Sequence, residues 1–330
     1  MLLENSIVSA GCLMRMRLIA FEEYLEYVKN RREVVIEDTA IRVGKKHEIR
    51  EYQPRDFTLE TTTVWSFPER GGWATHRGDY RGNWSPRLVR NLLLRYTKPG
   101  EWVLDQMCGS GTTLIECKLL GRNAIGVDIN YEAVILTLDR LNFAYRPLTP
   151  DWREPEIRVY HGDARNLNLV EDESIDFIAT HPPYFNIIPY SKQKPVPGDL
   201  SQVYSLEEYL SGMRRVAEES FRVLKPGRYC AILIGDTRQH RHYVPIAFRV
   251  MQQFLEAGFI LKEDIVKVQW NTKVTERRWK PLTKAACECW VEEGSRGKDF
   301  YLIAHEHLFV FRKPGRGEDV SQYKLSMKWW

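Results

Sequence analysis

The sequence predicts an α/β fold, a doubly wound Rossmann-like sheet, and three stretches carry that prediction. Glu101–Asn130 reads EWVLDQMCGSGTTLIECKLLGRNAIGVDIN. Trp102–Leu104 is a short apolar strand ending in Asp105, and a turn with Gly109 and Gly111 leads into a helix over Thr112–Leu120. Leu114, Ile115, Leu119 and Leu120 form the buried side of that helix. Gly121 ends it, and Ala124–Val127 is a second apolar strand tipped by Asp128. Further on, Ser174–Thr180 reads as a strand and runs straight into His181–Pro182–Pro183–Tyr184. Two prolines cannot continue a central strand, so the chain leaves the sheet at its carboxyl edge, where open α/β sheets hold ligands. Finally, strands and helices alternate as far as Ala257, after which two strand regions follow with no helix between them.

The first stretch is the strand–turn–helix–strand–acid half of a nucleotide site. Its glycines let the backbone approach a ligand, the new helix offers free N–H groups, and Asp128 can accept from both ribose hydroxyls. A dinucleotide fingerprint needs a third small residue, and Leu114 stands in that place. Asp105 would repel a pyrophosphate but suits a ligand with an amino group. S-adenosylmethionine carries both an ammonium and a sulfonium. A turn that binds no ligand is the plain alternative.

Asp105–Thr113, in the pattern D-x-x-x-G-S-G-T-T, and the x-P-P-Y of His181–Tyr184 together resemble the amino-methyltransferases, which methylate exocyclic amines of adenine or cytosine in nucleic acids. The resemblance covers roughly Thr61 to Pro314. It implies a seven-stranded class I methyltransferase sheet whose last strand is antiparallel, with S-adenosylmethionine as cofactor. The implied domain spans residues 61–315, between a small N-terminal extension, 1–60, and a tail, 316–330. The resemblance assigns the cofactor to Asp105, Gly109, Ser110, Gly111, Thr112, Thr113, Asp128 and Ile129. It adds Asp163 and Ala164, where an acid after the third strand accepts from the adenine amino group; a simple turn aspartate is the alternative. Asn83, Trp84 and Ser85 take the place of the segment that folds over the methionine end, although aromatics there read equally as core. Catalysis falls to His181, Pro182, Pro183 and Tyr184.

Composition narrows the class. The 330 residues are 43% hydrophobic, enough for one large α/β domain with an extension or for two small domains. No apolar run reaches membrane-spanning length, and Arg15 and Arg17 interrupt an already poor leader. Six cysteines are scattered, and Cys287-x-Cys289 lacks a partner pair. Zinc is therefore not expected, and reduced thiols in a cytoplasmic protein are. A formal net charge of +4 permits nucleic-acid binding without demanding it.

Residues 1–60 are expected outside the sheet. They hold an amphipathic helix over Leu18–Val28 and a small hairpin of Val34–Ile36 with Ala40–Val43. This basic segment either covers one end of the domain or contacts substrate. Ser85 and Pro86 cap a helix over Arg87–Tyr96. Other helices are expected over Glu132–Phe143, Tyr204–Val223 and Pro245–Ala257, and strands at Ile157–Tyr160, Tyr229–Gly235, Phe259–Trp270 and Ile303–Arg312. The loop from Phe185 to Gly198, with Tyr190, Lys192 and Lys194, is placed to close over a target base. Residues 271–299 form a basic, tryptophan-containing connection, suited to phosphate contact and base stacking or else merely solvated.

An exocyclic amine conjugated with its ring is a poor nucleophile. In the family the first side chain of x-P-P-Y and the carbonyl between the prolines hold its N–H bonds while the nitrogen becomes tetrahedral. The tyrosine stacks on the unpaired or flipped base. This chain departs from the pattern, with His181 in place of Asp, Asn or Ser, and Gln106–Met107 in place of Pro–Phe. A neutral imidazole accepts one hydrogen bond and a protonated one accepts none, so activity is expected to fall as pH drops through the pKa of His181. Little chain is available as a sequence reader, which favours a target defined by structure. Cytosine N4 in structured RNA, ribosomal above all, is the expected substrate, followed by cytosine N4 or adenine N6 in DNA. Archaeal-type RNA guanine methyltransferases share a D-P-P-Y motif but add a larger N-terminal RNA-binding domain. A protein-glutamine methyltransferase and an inactive RNA-binding relative complete the alternatives.

Overall fold

The computed structural model describes residues 13–147, 152–191, 195–270 and 300–328. Lys192, Lys194, Cys287, Cys289 and the connection 271–299 lie outside the described residues. The chain opens with β1 (Arg17–Leu18), α1 (Phe21–Asn30), the hairpin β2 (Glu33–Ile36) and β3 (Thr39–Arg42), and β4 (Val64–Ser66). The alternating part follows: α2 (Pro86–Tyr96), β5 (Trp102–Asp105), α3 (Thr112–Leu120), β6 (Asn123–Asp128), α4 (Tyr131–Leu141), β7 (Ile157–His161) and β8 (Ile175–Thr180). After it come α5 (Leu206–Val223), β9 (Leu224–Ile234), a second hairpin of β10 (Thr237–Gln239) and β11 (His242–Val244), and α6 (Ile246–Glu256). The last strands are β12 (Ile260–Val268) and β13 (His305–Arg312).

The main sheet has the order β1-β7-β6-β5-β8-β9-β13-β12-β4. Within it β5 to β9 run parallel, and β13 lies antiparallel between β9 and β12. These are the seven strands that the sequence predicts, with the last antiparallel. Two short segments extend them to nine strands among the described residues, and the first, Arg17–Leu18, corrects the expectation that residues 1–60 stay outside the sheet. Arg17 and Leu18 pair antiparallel with His161 and Tyr160. The approach is possible because residue 162 is glycine: a Cβ there would sit 2.8 Å from the Met16 side chain. At the opposite edge β4 pairs parallel with β12. Both additions supply partners to edge groups that would otherwise be open.

Strand β9 also starts earlier than its apolar run. Ile175 pairs with Leu224 but Phe177 pairs with Tyr229, so the residues around Pro226 and Gly227 bulge out of the ladder. One face of the sheet packs against α2, α3 and α4 together with the N-terminal hairpin; the other packs against α5 and α6. Alternate residues of β5 show the division, with Val103 in the first core and Leu104 in the second.

A buried carboxylate of α4 helps to fasten the N-terminal segment. Asp139 Oδ1 accepts from the Tyr24 hydroxyl at 2.8 Å and from the Gly44 N–H at 2.7 Å, and His47 Nε2 lies 3.1 Å from its Oδ2. Removing that acceptor strands buried donors at about 1–3 kcal/mol each. Asp139→Ala is therefore expected to lower the unfolding free energy by about 3 kcal/mol in urea titrations. A loss below about 0.5 kcal/mol would mean that water replaces the carboxylate without cost.

Candidate active site

Because β5 to β9 are parallel, their carboxyl ends deliver several polar residues to one edge. A cleft of about 810 Å³, mouth included, opens there. The turn after β5 forms its floor. Gly109 and Gly111 adopt φ of +52° and +79°, which side chains resist. A Cβ on Gly111 would also meet Thr137 Cγ2 at 2.8 Å, while Thr137 Oγ1 donates to the Gly109 carbonyl at 2.8 Å. This interlock holds the turn against α4.

Asp105, at the tip of β5, is buried and accepts from Thr113 Oγ1 and from the Met107 N–H. Burial dominates these bonds and pushes its carboxyl up to about 7. Asp128, at the tip of β6, accepts from the Gly109 and Asn130 N–H groups, each at 2.8 Å. Burial, aided by Asp199, still lifts it to about 6. Beside Asp105, the Gln106 amide donates to Ser220 Oγ at 2.8 Å, and its buried Oε1 has no partner among the described residues. Raised carboxyls and an orphaned acceptor in one cleft suit a ligand that brings positive charge and hydrogen-bond donors.

The cleft is lined by Asp105, Gly109, Ser110, Thr112, Asp128, Ile129, Asp163, Ala164, Asn83, Trp84, His181 and Pro183. Gly111 and Thr113 stand behind this lining, one starting α3 and the other bonded to Asp105. Asp163 is gripped by Arg165: its Oδ1 accepts from the Arg165 backbone N–H and from Nε, each at 2.9 Å, and its Oδ2 accepts from Nη2 at 2.6 Å. Ser85 is not among the lining residues; its hydroxyl caps α2 at Arg87 N and donates to the Arg70 carbonyl at 2.7 Å. Trp84 instead stacks on the imidazole of His181, with ring centroids 5.6 Å apart and planes at 22°.

His181 leaves the end of β8 with its Nε2 2.6 Å from the Tyr184 Oη, and the same oxygen lies 2.7 Å from Glu306 Oε1. Burial pulls the imidazole down to about 4, against the opposing pull of Glu306. Its Nδ1 has no hydrogen-bond partner among the described residues. The Pro183 carbonyl accepts from the Tyr209 hydroxyl at 2.6 Å, whereas no described residue donates to the Pro182 carbonyl. The Tyr184 ring is seated against residue 235, where a Cβ would come within 2.6 Å of it. Pro182 and Tyr184 therefore flank the cleft rather than line it.

Sequence reasoning missed Tyr80 and Asp199, which line the cleft together with Tyr190, named there only as part of the loop over a target base, and Gln106, named there only as a departure from the motif. Tyr80 and Tyr190 stack at 5.9 Å with planes at 13°, and the Tyr190 carbonyl accepts from the Glu37 N–H in the N-terminal hairpin turn. The loop after Tyr184 is thus held against both flanking segments. Its aromatic residue was visible in the sequence, but not the ring that it packs on.

A family model described as DNA methylase, of the N6 and N4 type, matches residues 18–138 and 175–328. The chain belongs to this N6/N4 methyltransferase family. The family and its fold make it an S-adenosylmethionine-dependent class I methyltransferase. Curated relatives include a tRNA (guanine(10)-N2)-dimethyltransferase of Methanothermobacter thermautotrophicus, 39% identical over 106 residues, 32% of this chain and 29% of that protein. The type II methyltransferase M.MjaII of Methanocaldococcus jannaschii is 43% identical over 51 residues, 16% of this chain and 10% of that one. The type II beta methyltransferase M.BslI of a Bacillus species is 25% identical over 174 residues, 48% of this chain and 16% of that one. The chain thus spans under a third of the length of each of these relatives. No described helix is long and apolar enough to cross a membrane.

Proposed function

We propose that this methyltransferase modifies an exocyclic amine of a base in structured RNA, with cytosine N4 as the target. The observation that carries the amine reading is the pair of acceptors at the cleft: a neutral His181 with Nδ1 unengaged, followed by the unengaged Pro182 carbonyl. Two acceptors match the two N–H bonds of an amine that must turn tetrahedral. Methylation then needs alignment more than acid–base chemistry. The cofactor, when bound, supplies an electrophilic methyl group on its sulfonium. Asp105 and Gln106 Oε1 would hold its ammonium, Asp128 its ribose hydroxyls and Asp163 its adenine amine. Asn83, Trp84 and the turn from Gly109 to Thr113 would enclose it.

Guanine N2 in tRNA is the second reading. It is favoured by the dimethyltransferase relative, named for that atom. The description of the family model, DNA methylase, favours DNA. Transfer of labelled methyl to total RNA and, separately, to genomic DNA from a host lacking the gene separates these readings after nucleoside digestion and mass spectrometry. N4-methylcytidine from RNA is the expected product. N2-methylguanosine would move the target to the second reading, and label confined to DNA would overturn the RNA assignment.

A further inference from the structure

Lys267 and Glu306 are register partners on β12 and β13, with Nζ 2.7 Å from Oε2. They stand at the end of a linear chain of contacts that continues from Glu306 Oε1 to Tyr184 Oη at 2.7 Å and from there to His181 Nε2 at 2.6 Å. Neither Lys267 nor Glu306 lines the cofactor cleft. We propose that Lys267 and Glu306 are positioning residues that order the protons along this chain and so fix the tautomer in which His181 meets the target amine.

The argument is a proton count. Burial would raise the Glu306 carboxyl, but Lys267 and its other partners hold it below the ordinary carboxylate range, so it is ionised and only accepts. The hydroxyl of Tyr184 has one hydrogen, and the carboxylate takes it. What Tyr184 Oη then offers to His181 is a lone pair. A 2.6 Å contact between two lone pairs is repulsive, so Nε2 must carry the hydrogen. In a neutral imidazole the other nitrogen, Nδ1, is then bare. Trp84 stacked on the ring fixes its plane. The ion pair is set by strand register on a rigid sheet, so the order runs outward from Lys267 to the cleft.

The proposal rests on the amino-methyltransferase reading, but its first test needs no substrate. In full-length protein labelled with ¹⁵N-histidine, the resonance missing from His181→Asn belongs to His181. Two-bond ¹H–¹⁵N correlation then tells which nitrogen is protonated. Wild type is expected to show protonated Nε2 and bare Nδ1. In Tyr184→Phe the acceptor is gone, and in Glu306→Gln an amide can donate or accept, so both should show a mixture of tautomers. Methyl transfer should fall about tenfold in each, with the affinity for S-adenosylmethionine unchanged. Protonated Nδ1 in wild type overturns the proposal. So does a wild-type tautomer in both variants, whatever their activity. Correct tautomers with no transfer to any nucleic acid would instead overturn the functional reading and leave the ordered chain standing.

Discussion

Asp105→Asn is expected to weaken binding of S-adenosylmethionine about 100-fold while leaving the fold intact. The amide keeps an oxygen for Thr113 Oγ1, so that bond survives; what goes is the charge and the weaker bond from the Met107 N–H. A hydrogen bond between charged groups in a dry site contributes about 1.5–3 kcal/mol, or one to two decades in Kd. The pH dependence gives a sharper signature. In the free protein the Asp105 carboxyl titrates near 7, far above its ordinary value, because burial disfavours the anion. A cationic ligand selects that anion, so protons compete with it below pH 7. Apparent affinity should fall about fivefold from pH 7 to pH 6, and Asp128, raised to about 6, deepens the loss further down. The stability linkage has the matching sign. A carboxyl whose folded pKa is raised burdens the fold where it is ionised, fully above pH 7 and less as pH falls. Cofactor relieves that burden, so it should raise Tm more at pH 8 than at pH 6. Calorimetric titration across this range checks both statements. A Kd within about threefold of wild type, or an unchanged pH profile in the variant, would remove Asp105 from the cofactor's ammonium.

Most of the scaffold was legible because local rules fix it. The glycines at 109 and 111 sit at positive φ where the turn was placed, and Ser85 caps the helix that begins at Pro86. The apolar runs became β5, β6, β8 and β13 with ends shifted by one or two residues. What stayed hidden depends on contacts between distant segments. Residues 17–18 have no strand signature, and they pair only because β7 presents an open edge beside Gly162. Ser85 looked like a cofactor residue from its place in the chain, but its hydroxyl satisfies its own helix. Lys267 and Glu306 are 39 positions apart and meet through the register of β12 against β13, which no single-strand pattern specifies. Even so, an acid between two histidines at the start of the apolar run Leu308–Phe311 was a visible oddity. Charges entering a buried strand are costly unless paired, and that cost was a signal to look for a partner.

His181→Ala should reduce kcat by about 10²- to 10³-fold, the range seen when a single preorganised hydrogen-bonding group is removed from a reacting centre. Affinity for S-adenosylmethionine should change little, because the acids that suit the cofactor lie elsewhere in the cleft. His181→Asn restores a neutral acceptor at the same backbone position and should recover part of the rate. The structure also locates the pH effect expected from the histidine. Burial pulls His181 down to about 4, so it stays neutral through the range in which most nucleic-acid enzymes are assayed. With cofactor saturating, kcat should therefore show no acid limb from His181 above about pH 5. The limb in kcat/KM for the cofactor near pH 7 belongs to Asp105 and should survive in His181→Asn. Initial rates for wild type and both variants, at limiting and saturating cofactor, separate the two groups. A kcat limb near 6.5 that vanishes in His181→Asn would mean that the imidazole is solvated in the working enzyme, and that its proton, rather than its lone pair, deserves the mechanistic role.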